Sequence, residues 1–124
     1  MPVIVVGGHS RKVGKTSVSE GLIRAFHQYP WTAVKISSHW HADPAVADDF
    51  FIHEESSGQG RDSDSARYLA AGASRAFWVQ VRPHRLAEVM PSLLPIFQSS
   101  PFVIVESNAV LRYMRPDLYV MVLR

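Results

Sequence analysis

The stretch VIVVGGHSRKVGKTSVSEGLI, residues 3–23, constrains the possible folds more than any other part of the chain. Its four consecutive β-forming residues, 3–6, are followed by Gly7 and Gly8, which predicts a short strand buried on both faces, as in a parallel sheet. Gly-Lys-Thr then opens an amphipathic helix predicted over 15–28, and Pro30 ends it. A strand, a glycine turn and Gly-Lys-Thr at a helix start together predict a phosphate-binding loop.

The loop departs from the usual G-x-x-x-x-G-K-[ST] signature at its first position. Counting five residues back from Gly14 reaches His9, and the nearest glycine, Gly8, stands one residue earlier. The first glycine eases the turn out of the strand and does not touch the transferred phosphate, so Gly7 and Gly8 can carry that turn. The departure therefore bears on affinity and loop geometry more than on the existence of the site.

The motif gives each polar group of the loop a role. Backbone N–H groups and the helix N-terminus bind phosphate oxygens. Lys15 places a positive charge on the β- and γ-phosphates, Thr16 offers a hydroxyl to Mg²⁺, and Ser17 adds a hydroxyl near the α-phosphate. The predicted nucleotide-binding residues are Gly8, His9, Lys12, Val13, Gly14, Lys15, Thr16 and Ser17. The alternative is a chance Gly-Lys-Thr in which Thr16 merely caps a helix.

A carboxylate follows a second apolar run, FVIVE, at residues 102–106. Ligands of open α/β sheets lie at the carboxyl ends of the strands. Glu106 is therefore predicted to hold Mg²⁺ together with Thr16, and to form the catalytic pair with Lys15. Ser107 and Asn108 are candidates for orienting the γ-phosphate or a water. The alternative for Glu106 is an acid that caps a loop and faces solvent.

The remaining pattern alternates strands and helices. Strands are predicted over 31–36, 75–82, 102–106 and 118–123, with a long loop over 37–61. A helix over 62–71 has Asp62 or Ser63 as N-cap and Gly72 as its stop, and a helix over 84–98 is kinked or split by Pro91 and Pro95. This order predicts a single α/β domain over 1–124, a three-layer sandwich of the P-loop NTPase type with a mostly parallel sheet.

The end of the last predicted strand raises a further expectation. The sequence stops one residue after that strand, without a helix to cover it. Parallel sheets normally carry helices on both faces. We therefore expect either a C-terminally truncated chain, or a partner or second copy over that edge.

The segment KISSHWHADP, residues 35–44, follows the second predicted strand and so belongs to the same sheet edge. Lys35, His39 and His41 are candidates for contacting an anionic substrate. The two histidines could also bind a metal with His53 and Glu54. The third interpretation is a solvated loop with scattered histidines.

The composition argues against several classes of function. The chain has 13 basic and 11 acidic side chains, a net charge of +2, which is too small a balance to indicate nucleic acid as a partner. The absence of cysteine excludes disulfides, thiolate metal sites and thiol nucleophiles, and fits a cytoplasmic setting. No apolar run approaches the ~18 residues of a membrane span, so no membrane association is expected.

Four stretches, taken together, resemble the molybdopterin-guanine dinucleotide biosynthesis protein B (MobB) family of GTP-binding proteins. They are the early loop ending VGKTS, the strand and turn AVKISSHWH, the stretch GRDSDSARYLAAGA at 60–73, and VIVESNAVLRYMRPDLYVMV near the end. The third is similar to the family's Gly-Lys-Asp-Ser/Thr followed by Ala-Gly-Ala. The chain departs from the family pattern at His9, at Arg61, and at Ser107-Asn108, where the family has glycine after the acid.

The resemblance implies GTP and Mg²⁺ as ligands, slow GTP hydrolysis, and an accessory role in attaching a nucleotide to the molybdenum cofactor. It implies partners among molybdenum-cofactor biosynthesis proteins, and a homodimer that would cover the exposed sheet edge. Gly14, Lys15, Thr16 and Ser17 would contact phosphates and Mg²⁺, and Glu106 would be the carboxylate beside the metal. Asp62 and Ser63 would lie near the nucleotide or cap a switch-like helix.

Two other functions stay open on the residues alone. One is a P-loop kinase or ligase acting on a small anionic metabolite, with Lys35, His39 and His41 as substrate contacts. The other is a non-catalytic binding module with a degenerate loop, which His9 motivates. The Asn-Lys-x-Asp signature that reads guanine in many GTPases does not occur, so ATP remains possible as the nucleotide.

Overall fold

The computed structural model describes residues 2–8, 14–38, 48–57 and 63–123. Within these ranges there are three α-helices, namely α1 (Lys15–Ala25), α2 (Asp64–Ala71) and α3 (Leu86–Gln98), and a 3₁₀ turn at Val110–Arg112. The strands are β1 (Val3–Gly8), β2 (Trp31–Ser37), β3 (Phe50–Glu54), β4 (Arg75–Val81), β5 (Phe102–Glu106) and β6 (Leu118–Val122).

The strands form one sheet in the order β3-β4-β2-β5-β1-β6. All neighbouring pairs are parallel except β3 with β4, which is antiparallel. β1 therefore lies between β5 and β6, and the carboxyl ends of β1, β2, β4, β5 and β6 share one edge of the sheet. The predicted α/β class with a mostly parallel sheet is confirmed.

Alternate residues of the central strands face opposite sides of the sheet and build two cores. Val5 and Val34 belong to the core under α3, whereas Val6 and Ala33 belong to the core under α1 and α2. Helices therefore cover both faces, and α1 and α3 leave the same sheet edge toward opposite faces. None of the helices in the described ranges is long and apolar enough to cross a membrane.

The prediction of one loop over 37–61 was wrong, because β3 lies within it. Within the described ranges β3 pairs only with β4 and has no buried residue, and its short apolar run, Phe50 to Ile52, is followed at once by His53 and Glu54. An edge strand of this kind lacks the strong sequence signal of a strand buried on both faces. The rest of that predicted loop, 39–47 and 58–61, lies outside the described residues.

Two helix predictions also change. α1 ends at Ala25, three residues before the predicted end at 28. α3 runs unbroken from Leu86 to Gln98 with Pro91 and Pro95 inside it, so the predicted split does not occur. Each proline removes one intrahelical hydrogen bond, but Leu93 and Phe97 bury one face of α3 against the sheet, and such packing supplies most of a helix's stability.

The caps predicted for the second helix are confirmed in part. Ser63 is the N-cap of α2, and its hydroxyl accepts a hydrogen bond from the Ala66 N–H at 3.2 Å. Gly72 ends the helix in the left-handed conformation, with φ at 118°. Asp62, the other candidate cap, lies outside the described residues.

Gly7 occupies a position where a side chain has no room. A Cβ atom there would lie 2.6 Å from the Tyr119 hydroxyl and 3.1 Å from the Ser107 carbonyl oxygen. Tyr119 packs on the core under α3, and the Ser107 N–H donates to Val6 at 3.0 Å, so neither neighbour is free to withdraw. The glycine therefore allows β6 and the segment after β5 to close around the end of β1.

We expect Gly7→Ala to lower the free energy of unfolding by about 1–3 kcal/mol, because the added methyl group overpacks this contact. Urea denaturation measures the change. The matched control is Gly21→Ala in α1, where a Cβ meets nothing within 4 Å. That control should raise stability by up to about 1 kcal/mol, since alanine favours a helix interior over glycine. Equal effects of the two substitutions would contradict the steric account.

Candidate functional site

The N-terminus of α1, with the N–H groups of its first turn, lies at the carboxyl edge of the sheet. Gly14 is its N-cap, with φ at 100°, a conformation that glycine adopts without strain. No side chain among the described residues caps this end. The N–H groups of the first helical turn have no intrahelical partner, and the helix dipole makes this end positive. The geometry therefore suits an anion, as the motif predicts.

Asn108 joins the end of β1 to the loop lysine. Its Oδ1 accepts hydrogen bonds from the Gly8 N–H at 2.9 Å and from Lys15 Nζ at 3.0 Å. Asn108 follows β5 by two residues, and β5 is the strand next to β1. Lys15 is thus held at the mouth of the loop by a neutral oxygen.

Thr16 and Glu106, the two predicted magnesium ligands, are in direct contact. Thr16 Oγ1 lies 2.9 Å and 3.0 Å from the two carboxylate oxygens of Glu106. Glu106 is only 3% exposed, which excludes the alternative of an acid that faces solvent. The pairing of β5 with β1 brings the carboxylate beside the first turn of α1.

Two further donors surround the Glu106 carboxylate. Tyr68 of α2 donates its hydroxyl proton to Oε1 at 2.5 Å, and Lys35 of β2 lies 3.1 Å from Oε2. Lys35 Nζ also contacts the Asp64 carboxylate at the start of α2. Glu106, Thr16, Lys35, Asp64 and Tyr68 are called the carboxylate network below.

The network shifts the pKa values of its two proton donors. Burial lowers the pKa of Lys35, but the negative charges of Glu106 and Asp64 and their hydrogen bonds outweigh burial, so this pKa lies above 10.5. Burial is also the largest cause for Tyr68, and here it acts in the same direction as Glu106, raising the pKa well above 10.0. Both groups therefore keep their protons at neutral pH.

Arg67 holds α2 against α1 beside the network. Its guanidinium pairs with Glu20 of α1 and lies 3.6 Å from Asp64 Oδ1. Asp64 thus has a cation on each side, Lys35 and Arg67. This arrangement fixes the N-terminus of α2, the end that carries Asp64, next to the N-terminus of α1.

The network opens into a cavity of about 690 Å³ along the sheet edge. Gly14, Lys15, Thr16 and Ser17 line it at the α1 end, together with the carboxylate network residues Lys35, Asp64 and Glu106. Gly8, another predicted nucleotide-binding residue, donates its N–H to Asn108, and Asn108 lines the cavity. His9, Lys12 and Val13 lie outside the described residues.

Asp64 and Tyr68 were missed as site residues, and Lys35 was predicted for a different role. Asp64 stands in a run of serines and aspartates that is typical of helix caps. Tyr68 has the position of a residue in the buried face of the helix. One signal was available, because residues four apart lie on the same helix face. That face carries both Asp64 and Tyr68 toward the end of β5.

The donors at the site fit Mg²⁺. This ion prefers oxygen ligands, usually one or two carboxylates together with waters and phosphates, and Thr16, Glu106 and Asp64 supply a hydroxyl and two carboxylates. The part of the chain described here holds no group of three or more His, Cys, Asp or Glu that could bind a metal alone. Of the other metal candidates, Glu54 pairs with Arg75 at 2.8 Å, and His39 and His41 lie outside the described residues.

The fold and the site define a mostly parallel α/β protein with a helix N-terminus and a buried carboxylate at one sheet edge. Comparisons of the chain with protein-family models, with curated proteins and with solved structures found no match. The function therefore has to be argued from the site.

Tyr68→Phe should lower the free energy of unfolding by about 1.5–3 kcal/mol, because it removes a hydrogen bond to a buried charge. Thermal or urea denaturation measures the loss. Tyr29→Phe is the control, since Tyr29 is 40% exposed and its ring contact with Phe102 survives the change. That variant should stay within about 0.5 kcal/mol of the wild type. A Tyr68→Phe protein as stable as the control would show that the hydroxyl does not support Glu106.

Alkaline pH should weaken the fold through the same groups. Above about pH 10 the unfolded chain loses protons from Lys35 and Tyr68, whereas the folded chain keeps them because both pKa values are raised. The free energy of unfolding therefore falls as pH rises through this range. Urea denaturation between about pH 9 and pH 11 should show a shallower fall for Tyr68→Phe than for the wild type. Parallel curves would argue against the raised pKa of Tyr68.

Proposed function

We propose that the chain binds a nucleoside triphosphate with Mg²⁺ at this sheet edge, with GTP as the expected nucleotide. The observation that carries the proposal is the direct contact of Thr16 with Glu106, one residue from Lys15 and at the open N-terminus of α1. A phosphate chain needs a positive helix end and a lysine, and its cation needs a hydroxyl and a carboxylate. All four lie along one wall of the cavity.

The residues have distinct tasks in this proposal. The N–H groups after Gly14 bind phosphate oxygens. Lys15 exchanges its hydrogen bond to Asn108 for one to the phosphates. Thr16 and Glu106 hold the cation, and bound Mg²⁺ neutralises phosphate charge. Lys35 stays on the carboxylates of Glu106 and Asp64 and holds them at the cation.

The surroundings of Glu106 favour slow hydrolysis. Lys35 and Tyr68 donate to this carboxylate and the bound cation would take up further lone pairs, so its oxygens have little capacity left to accept a proton from an attacking water. A fast hydrolase needs a group free to take that proton. This supports an accessory factor with weak GTPase activity rather than an efficient enzyme.

The resemblance to the MobB family makes the proposal more specific. We infer a cytoplasmic homodimer that assists guanylylation of the molybdenum cofactor together with other proteins of that biosynthesis. Support comes from the stretch GRDSDSARYLAAGA, whose described part forms α2 and delivers Asp64 and Tyr68 to the network. That stretch distinguishes the family resemblance from a bare phosphate loop.

A kinase or ligase acting on a small anion is the second candidate. The observation in its favour is that the cavity continues past the network to Arg82 and His84, after the end of β4. The position of Lys35 argues against the substrate contact expected for it, because its ammonium group faces Glu106 and Asp64. His39 and His41, the other expected contacts, lie outside the described residues.

Isothermal titration with Mg·GTP and Mg·ATP tests the proposal. We expect GTP to bind more tightly, and at a concentration 100-fold above its Kd to stabilise the fold by about 2.7 kcal/mol. Lys15→Ala should abolish this stabilisation, and Thr16→Ala should remove its dependence on Mg²⁺. Turnover should stay below the common enzymatic range, under about 1 s⁻¹.

Arg115→Ala serves as the control, since Arg115 is an exposed cation that does not line the cavity. It should leave nucleotide binding unchanged. Tighter binding of ATP would overturn the choice of GTP. Binding of neither nucleotide would overturn the proposed function and favour the non-catalytic module with a degenerate loop.

A further inference from the structure

The cavity has a second wall, on the side away from the phosphate loop. It is lined by Arg82, His84 and Leu86, around the turn from β4 into α3, and by Arg112 and Tyr113, after β5. These five residues are called the far wall below. None of them was predicted as a site residue, and none belongs to the carboxylate network.

The two walls are separated by the order of the strands. β4 is the third strand from β1, so at ~4.8 Å per strand the turn after β4 lies roughly 14 Å from the end of β1. α1 covers one face of the sheet and α3 the other. A ligand at the far wall therefore has space beside a ligand held at α1.

The far wall is basic and carries no acid. Within the described ranges, the side chains of His84 and Arg112 form neither an ion pair nor a hydrogen bond, and both residues are exposed. Arg82 is held in place, because its Nε donates to the Asp48 carbonyl at 3.0 Å and lies 3.8 Å from Asp49. The His84 imidazole and the Arg112 guanidinium are therefore the side-chain donors available to a ligand.

The start of α3 adds backbone donors to these two side chains. Its N-cap, Arg85, makes no side-chain capping bond; the N–H groups of Arg85 and Glu88 donate to the Arg82 and Arg85 carbonyls at 3.0 Å each, which leaves those of Leu86 and Ala87 for an anion. Leu86, the first residue of the helix, lines the cavity. His84 has φ at 66°, and a non-glycine residue keeps such a conformation where its surroundings impose it, often at ligand sites.

We propose that the far wall is a second phosphate subsite, which holds the phosphate group of a small organic molecule. A planar guanidinium, an imidazole and a helix N-terminus are groups that bind phosphate well. The Tyr113 ring, 44% exposed at the rim, offers a flat contact to the organic part of such a molecule. Only the position of this molecule beside a nucleotide rests on the proposed function.

Titration with glycerol 2-phosphate, followed by NMR of backbone amides and of histidine and arginine side chains, tests the subsite. Signals of His84 and Arg112 should shift and saturate, and signals of Gly14 and Lys15 report separately on the loop. Arg112→Gln should weaken binding at the far wall roughly tenfold, as expected for a lost hydrogen bond between charged groups. His84→Gln should weaken it in the same direction.

Arg115→Gln is the matched control, an arginine three residues away that does not line the cavity, and it should leave the affinity unchanged. The subsite is overturned if His84 and Arg112 do not respond, or if both arginine variants weaken binding equally. Malonate binding as tightly as glycerol 2-phosphate would overturn the assignment to phosphate. Failure of Gly14 and Lys15 to respond to Mg·GTP would count against the proposed function alone, since the far-wall signals are read independently.

Discussion

The site depends on the burial of one charge. Glu106 ends a central strand with almost no exposure to water, and a buried carboxylate is costly unless donors surround it. Its donors are Thr16, Lys35 and Tyr68, which come from α1, β2 and α2. Three separate elements must therefore take their positions before the carboxylate is satisfied. The same requirement that stabilises the fold also assembles the wall at which a phosphate chain and its cation would bind.

The carboxylate network carries one more negative charge than positive charge. Glu106 and Asp64 carry two negative charges, and Lys35 supplies one positive charge between them. Arg67 contributes partly, because it also pairs with Glu20. A divalent ion bound together with phosphates would add positive charge at the carboxylates and negative charge at Lys15. In the proposed complex each of these charged side chains would face charge of the opposite sign, and this is the electrostatic argument for a magnesium nucleotide over a bare anion.

Elements with strong local signals could be predicted, and those fixed by distant partners could not. The buried runs at β1 and β5 are readable from consecutive β-forming residues, and the phosphate-loop logic correctly placed Thr16 and Glu106 at one edge. β3 was not predicted because it is an edge strand with no buried residue, and its apolar run ends at Ile52, after which His53 and Glu54 follow. The contacts of Lys35 with Asp64 and of Tyr68 with Glu106 join residues 29 and 38 positions apart. They depend on which strands are neighbours, and the order β4-β2-β5-β1 does not follow from the order along the chain.

The strand order also explains why one cavity has two unlike walls. α1 leaves β1 toward one face and α3 leaves β4 toward the other, so a crevice opens between them outside the ends of β2 and β5, as in other open α/β sheets. The wall at α1 combines Lys15 with the carboxylates, whereas the far wall presents His84 and Arg112 without an acid. A cation bound between phosphates fits only the first wall, because only that wall has carboxylates to hold it. The second wall can stabilise negative charge alone, so a molecule spanning the crevice, or a pair of molecules sharing it, would carry its cation at α1 and a bare anionic group at Arg112.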